Sequence, residues 1–252
     1  MATKINKIIS LTFPTGIMTT SWLESQGVSR TEQSNYVKTG WLKRIAYGIY
    51  KLSDNTPTLY GALASYKKQS DGIYRIGASS ALEMQGYTHY VSIGTPSAYI
   101  FTPKNHRLPK WLTSIKWDRT LLEFSTKVFD GEKGVKTVDF DNLKLAVSSP
   151  ELAIMECLQL SPEYYDLMDV FYLMEMLTTL RSTLVTQLLE QCSSVKVKRL
   201  FLYMAEKSKH AWYNRLELKN IALGSGPRSF VKGGVKIAKY NIVIPKELAS
   251  YE

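Results

Sequence analysis

The apolar positions of the first fifty residues change their period twice. Ile5, Ile8, Ile9 and Leu11 recur at helical spacing and stop before Pro14, which predicts a short amphipathic helix. Gly16-Ile17-Met18 reads as an extended connector. Thr19 or Thr20 can cap a second helix over "TSWLESQ", with Trp22 and Leu23 inward and Gly27 as its left-handed stop. Ser29 caps a third helix, predicted from Arg30 to about Thr39 and ended by Gly40. Beyond it, "GWLKRIAYGIY" sets apolar residues at every second or third position around Lys43, Arg44 and Tyr47. That is a hairpin with outward cations. Helix, short Gly-containing break, helix and hairpin together make a winged helix-turn-helix.

Successive side chains on the third helix turn by about 100°. Gln33, Tyr36 and Val37 therefore gather on one side, while Thr31, Ser34, Asn35 and Lys38 fall opposite, with Arg30 on the flank. The outer face carries no carboxylate, and Glu32 sits between the faces in the first turn, where it suits the helix dipole. A solvated polar helix fits this pattern too, but hydroxyl, amide and cationic groups without an acid are what contact with bases and phosphates requires. Arg suits guanine and Asn suits adenine, because each can make two parallel hydrogen bonds. The candidate DNA-binding residues are Arg30, Thr31, Ser34, Asn35 and Lys38 on the helix, and Lys43, Arg44 and Tyr47 on the wing.

"SDNTPT" at 53–58 ends the wing, and a helix through "TLYGALASYKKQ" leads to "SDG" at 70–72. The expected organisation is α+β: a winged helix-turn-helix with a linker helix over residues 1–70, then a larger mixed α/β domain over 71–252. There, "GIYRIGASSALEMQGYTHYV" predicts a strand, a Gly-marked turn and a helix capped by Ser79 or Ser80. β-rich runs follow at Tyr99, Ile100 and Phe101, at Ile115 and Trp117, and at Leu121, Leu122 and Phe124, and continue through "GVKTVDFDNLKLAV". The pattern becomes helical at "SSPELAIMECLQL", where Ser149 is an N-cap and Pro150 takes the first helical position. Helices continue through "SVKVKRLFLYMAEKSK", and short strands return around "GSGPR" and "KGG".

Charge adds a second region of interest. The net charge of +10 is divided as +6 over residues 1–70, −4 over 71–180 and +8 over 181–252. Basic ends around a mildly acidic middle suit a polyanion touched at two places. Lys196, Lys198, Arg199, Arg228, Lys232 and Lys236 form the expected second basic surface, although Lys196 and Lys198 do not share a helical face. Such a surface fits DNA flanking a core site, an RNA or nucleotide, or solubility alone. At 44% hydrophobic and 21% charged, the 252 residues belong to the globular class, with one or two domains. No run of about 18 apolar residues and no signal-peptide pattern occur, so a cytoplasmic protein without a membrane partner is expected. Cys157 and Cys192 lie in apolar helical patterns and read as buried thiols.

Catalytic candidates are few, and neither catalysis nor a cofactor or metal is expected. "GSGPRSFVKGG" lacks the spacing of a phosphate-wrapping loop and reads as a hairpin turn with cationic flanks. His89, His106 and His210 stand apart without metal-ligand spacing. Asp139 and Asp141 would share a strand face and could chelate a divalent cation, and "ELK" at 217–219 imitates a nuclease Glu-x-Lys. Both patterns arise by chance, yet they define one alternative, a metal-dependent nuclease targeted by the winged helix.

Several segments, in order, resemble the AbiEi-type antitoxins of type IV toxin–antitoxin systems, which are associated with phage defence. They are "GVSRTEQSNYVKTGWLKRIAYGIY", "GIYRIGASSALEMQGYTHYV", "AVSSPELAIMECL" and the C-terminal block from "VKVKRLFLYMAEKSK" to "LGSGPRSFVKGGVKIAKYNIVIP", so the likeness spans nearly the whole chain. The chain departs from the family pattern at the wing tip, Ala46-Tyr47, and at Ala78 and Gln85, where Gly and often His are expected. The resemblance implies that the N-terminal domain binds inverted repeats in its own promoter as a transcriptional repressor. It implies that the second domain neutralises a cognate nucleotidyltransferase toxin without a stable complex. The expected protein is a monomer in solution; its oligomeric state on DNA stays open, and two monomers could fill the two repeats cooperatively without a dimer in solution. A transcription regulator without a toxin is the other alternative.

Overall fold

The computed structural model describes residues 4–88 and 94–251. Helix α1 (Lys4–Leu11) is followed by strand β1 (Met18–Thr19), helices α2 (Thr20–Ser25) and α3 (Arg30–Lys38), strands β2 (Leu42–Ala46) and β3 (Ile49–Leu52), and helix α4 (Leu59–Ser70). Ile8, Met18, Trp22, Leu23, Val28 and Leu42 are buried together, with Leu11, Tyr36, Tyr50 and Leu52 packed on them. Each such side chain contributes roughly 1.5–3 kcal/mol when fully removed from water. The expected winged helix-turn-helix is present. Two local expectations need correction. Met18 and Thr19 are not a free connector but pair antiparallel with Tyr50 and Ile49, giving the sheet order β1-β3-β2. Val37 is 37% exposed, because Tyr36 and Gln33 already fill the inward side of α3.

The chain continues with β4 (Arg75–Ile76), α5 (Ala78–Glu83), β5 (Ser97–Pro103), α6 (Lys110–Ser114), β6 (Thr120–Thr126), β7 (Val135–Phe140) and β8 (Leu143–Ser148). Five of these strands form a sheet of order β6-β5-β4-β8-β7, with β4 and β8 parallel. Then come α7 (Pro150–Leu160), α8 (Leu167–Met176), α9 (Ser182–Gln191), α10 (Val195–Lys207), β9 (Arg228–Ser229), β10 (Val235–Ile237), β11 (Ile242–Ile244) and α11 (Lys246–Ser250). The last strands form a small sheet of order β10-β11-β9. The fold is thus α+β, as expected. No helix among the described residues is long and apolar enough to cross a membrane.

Packing divides the chain into two compact units. The first comprises Met1–Arg75, Ser92–Ser125 and Thr137–Ala146; the second comprises Ile76–Val91, Thr126–Lys136 and Val147–Glu252. In the first unit α4 clamps the winged helix. Gln69 accepts from Thr19 N at 2.9 Å and donates to Ile17 O at 2.6 Å, extending the sheet's hydrogen bonding with a side chain. Gly61 lets α4 approach closely, since a Cβ there would lie 2.0 Å from Thr15 O. Asp118 accepts from Leu59 N at 2.7 Å, so the 92–125 stretch caps the same helix. The β-rich run expected at Ile115 and Trp117 is not a strand. Helix α6 precedes it, and Trp117 Nε1 donates to Leu112 O at 2.7 Å, closing the helix end.

In the second unit α7 is buried on nearly every side and packs against α5, α8, α9 and α10. Such a helix needs its polar groups satisfied internally. Glu156, wholly buried, accepts from Ala78 N at 2.9 Å and from Ser148 Oγ at 3.1 Å. That contact, and not Ser79 or Ser80, starts α5, whose N-cap is Gly77. Ala78 holds a φ of 48°, a left-handed conformation that favours glycine. Cys157 and Cys192 are free and buried, and burial pushes both thiols up from their ordinary pKa.

Candidate nucleic-acid interface

Helix α3 is fixed at its first turn and along its inner face. Ser29 Oγ accepts from Glu32 N, and Glu32 Oε2 accepts from Ser29 N at 2.8 Å, a reciprocal capping box. Lys4 Nζ donates to Glu32 Oε1 at 2.7 Å, and this bond with those of Ser29 holds the Glu32 carboxyl down at about 2. Gln33, 1% exposed, donates to Val28 O at 3.0 Å and Thr20 O at 3.4 Å, tying α3 to α2. The helix can rotate little about its axis. Its outward groups are thereby aimed.

All eight candidate residues are exposed: Arg30, Thr31, Ser34, Asn35 and Lys38 on α3, and Lys43, Arg44 and Tyr47 on the wing. The hairpin turns at Tyr47-Gly48, where Gly48 has a φ of 69°. Thr20 N donates to Gly48 O at 2.8 Å, so the wing tip is anchored to the start of α2. Tyr47 is 89% exposed, and the Arg44 guanidinium lies 5.0 Å from its ring centre. Arg44 Nε also donates to Ala46 O at 3.3 Å, so its guanidinium is held on the wing by one edge and by the ring. A cleft of about 690 Å³ opens beside these groups; Arg30, Arg44 and Tyr47 line one part of it, and Tyr66, Pro109 and Trp111 another.

One acid was hidden by sequence order. Arg30 Nε donates to Glu24 Oε1 at 2.8 Å, so the surface around α3 does include a carboxylate, contributed by α2. The pair occupies the Nε edge of Arg30 and leaves its terminal fork outward. The six-residue separation across a turn concealed it.

The second basic segment is built differently. Arg199 is 2% exposed and donates to the carbonyls of Leu223, Gly226, Gly224 and Asn241 at 2.7–3.1 Å. Lys198 is 7% exposed and donates to Ala222 O at 3.4 Å. Lys196 is half-buried and donates to Gln159 O at 2.6 Å and Ser161 O at 2.7 Å; burial lowers its pKa. These three are corrections to the expected surface. Their hydrogen bonds go to backbone carbonyls, which they exist to satisfy. Arg228, Lys232 and Lys236 are exposed. The six residues do not form one cationic face.

Residues 95–245 match a family described as transcriptional regulators, the AbiEi antitoxins of type IV toxin–antitoxin systems, and residues 1–93 match its N-terminal domain. The chain belongs to the AbiEi antitoxin family. Among solved structures, the RV2827C protein from Mycobacterium tuberculosis is similar, with a TM-score of 0.65 and 16% identity over 91% of this chain and 86% of that chain. That likeness concerns the fold alone. No curated sequence matches the chain.

AbiEi antitoxins are thus a family of regulators whose description implies DNA and a cognate toxin as partners. This AbiEi chain's departures have structural sites: Ala46-Tyr47 forms the wing tip, Ala78 the left-handed start of α5, and Gln85 donates to Ala81 O and to Ser148 O at 2.5 and 2.9 Å. Features raised for a nuclease do not converge. Asp139 lies in β7, whereas Asp141 and Asn142, with φ of 48° and 63°, form the hairpin turn to β8, so the two aspartates do not share a strand face. Among the described residues no three His, Cys, Asp or Glu side chains cluster as a metal site. His106 is exposed, the His210 ring lies 3.0 Å from Met174 O, and His89 lies outside the described residues.

Proposed function

We propose that this protein binds inverted repeats upstream of its own coding sequence and represses transcription from them, with α3 in the major groove and the wing on adjacent phosphates. The observation that carries this reading is the exposure of all eight candidate side chains on α3 and the wing, with α3 locked beneath them by Gln33 and the capping box. Arg30 and Asn35 read base edges, while Thr31, Ser34, Lys38, Lys43 and Arg44 position the duplex through its backbone. Acting in the cytoplasm, the protein also neutralises a cognate nucleotidyltransferase toxin without a stable complex, and it occupies its two repeats as cooperating monomers.

Gel retardation on the upstream DNA tests the first part. The variant R30A/N35A/K38A is expected to lose discrimination between that DNA and a scrambled duplex of equal length; unchanged retardation would remove α3 from the interface. Toxicity rescue by the same variant tests the second part separately, since neutralisation assigned to residues 71–252 should survive. A regulator without a toxin would lack an adjacent nucleotidyltransferase reading frame.

A further inference from the structure

Between Glu83 and Asp118 the sequence contains no aspartate or glutamate, yet it holds Lys104, Arg107, Lys110 and Lys116. All four cations are exposed, as is His106. The four cations lie within Ser92–Ser125, which belongs to the same compact unit as the winged helix. It is also braced: Leu108 and Leu112 are buried, Leu108 N donates to Glu123 Oε1 at 2.8 Å, and Thr102 Oγ1 donates to His106 O at 3.1 Å. Its Pro109 and Trp111 line the cleft shared with Arg30, Arg44 and Tyr47. Glu24 is the carboxylate on that cleft, and it is already paired with Arg30. Glu123, bound to Leu108 N, and Asp118, bound to Leu59 N, are acids beside the arm, each already holding a backbone N–H.

We infer that residues 104–116 are a second phosphate-contacting arm of the DNA interface, which rests on the reading of α3 and the wing given above. Duplex DNA beneath α3 continues across the cleft. One phosphodiester strand runs between Arg30 and Arg44 on one side and Trp111 on the other, and Lys104, Arg107 and Lys110 engage the flanking phosphates. The charge balance favours this occupant: Arg30 and Arg44 line the cleft, the arm reaches it through Pro109 and Trp111 and carries its exposed cations on the same short segment, and a fixed polyanion neutralises both groups at once. The contact is indifferent to base sequence and lengthens the site.

Hydroxyl-radical footprinting and salt titration of the full chain on its upstream DNA test the arm. The variant K104A/R107A/K110A is expected to keep protection under α3 and to lose it on the flank. The slope of log affinity against log salt should become shallower by about 2–3, at roughly 0.9 per phosphate contact. Should the triple variant melt early, Arg107→Ala and Lys110→Ala singly carry the test, each with a slope change of about 1. Footprint and slope identical to wild type would overturn the arm while leaving α3 and the wing intact. Absence of duplex binding by the wild-type chain would overturn both. Competition for duplex by a free mononucleotide would also overturn the arm, marking the cleft as a small-ligand site.

Discussion

The two basic regions of this molecule use the same residue types for opposite purposes. On α3 and the wing, arginine and lysine side chains stand in water, and the contacts they make leave N–H groups outward, as with Arg44 on Tyr47 and Arg30 on Glu24. Under the Gly-rich loop that follows α10, Arg199 points inward and spends its guanidinium on four backbone carbonyls. Cationic density along a sequence therefore does not locate an anion site. What separates the cases is the competition for each N–H: where loops present unpaired carbonyls, a buried arginine satisfies them.

The largest expected effect lies on the inward side. Arg199→Met leaves the carbonyls around 223–226 and Asn241 without a donor, and should cost about 3–5 kcal/mol of stability in urea denaturation. DNA affinity of the folded protein should be unaltered; a cost within the range of an ordinary surface change would break the contrast.

An exposed cation paired with a buried carboxylate extends the comparison. Arg181 donates from its backbone N and from Nε to Glu151 Oε1, at 3.0 and 2.9 Å. Burial raises the Glu151 pKa, but the Arg181 hydrogen bonds outweigh it and hold the carboxyl at about 2, below its ordinary 4.5. A depressed folded pKa contributes stability that is complete above the unfolded value and is lost as pH falls through the folded one. Wild-type stability should therefore drop by up to about 3 kcal/mol between about pH 4.5 and 2. Arg181→Gln, which removes the side-chain partner and keeps the backbone N–H bond, should remove part of that dependence in urea midpoints measured across the same range.

Outward residues should move binding and not folding. Asn35→Ala is expected to cost about 1–3 kcal/mol of discrimination at one base position, read by competition binding, with stability changed by less than about 0.5 kcal/mol. Lys43→Ala should weaken all duplexes alike and reduce the salt slope by about 1. Glu24→Gln should have the smallest effect. Removing its charge raises non-specific affinity a few-fold, and Arg30, released from its Nε partner, discriminates less well between operator and scrambled duplex.

Much of the N-terminal region was legible because its signals are local. Ser29 three residues before Glu32, Gly27 and Gly40 at left-handed positions, and the alternation around Lys43 each act within one or two turns of chain. The α5 start was misread for the opposite reason: its anchor, Glu156, is 78 residues away. Ile115 and Trp117 looked β-like because aromatic and β-branched residues favour strands, yet the indole N–H closes a helix end instead. The arm at 104–116 left one readable trace, its long acid-free run, which the mildly acidic average of residues 71–180 concealed.

By itself the sequence determined the winged helix-turn-helix, the outer face of α3, the helical character of the region after Ser149 and the likeness to AbiEi antitoxins. These depend on periodicity, caps and short motifs, which act between residues a few positions apart. Only the tertiary structure decided which cations are available. Whether a guanidinium meets water, a carboxylate or a row of carbonyls depends on what the folded chain brings beside it. For Arg30 that was Glu24 from the preceding helix, and for Arg199 it was a loop some 25 residues downstream.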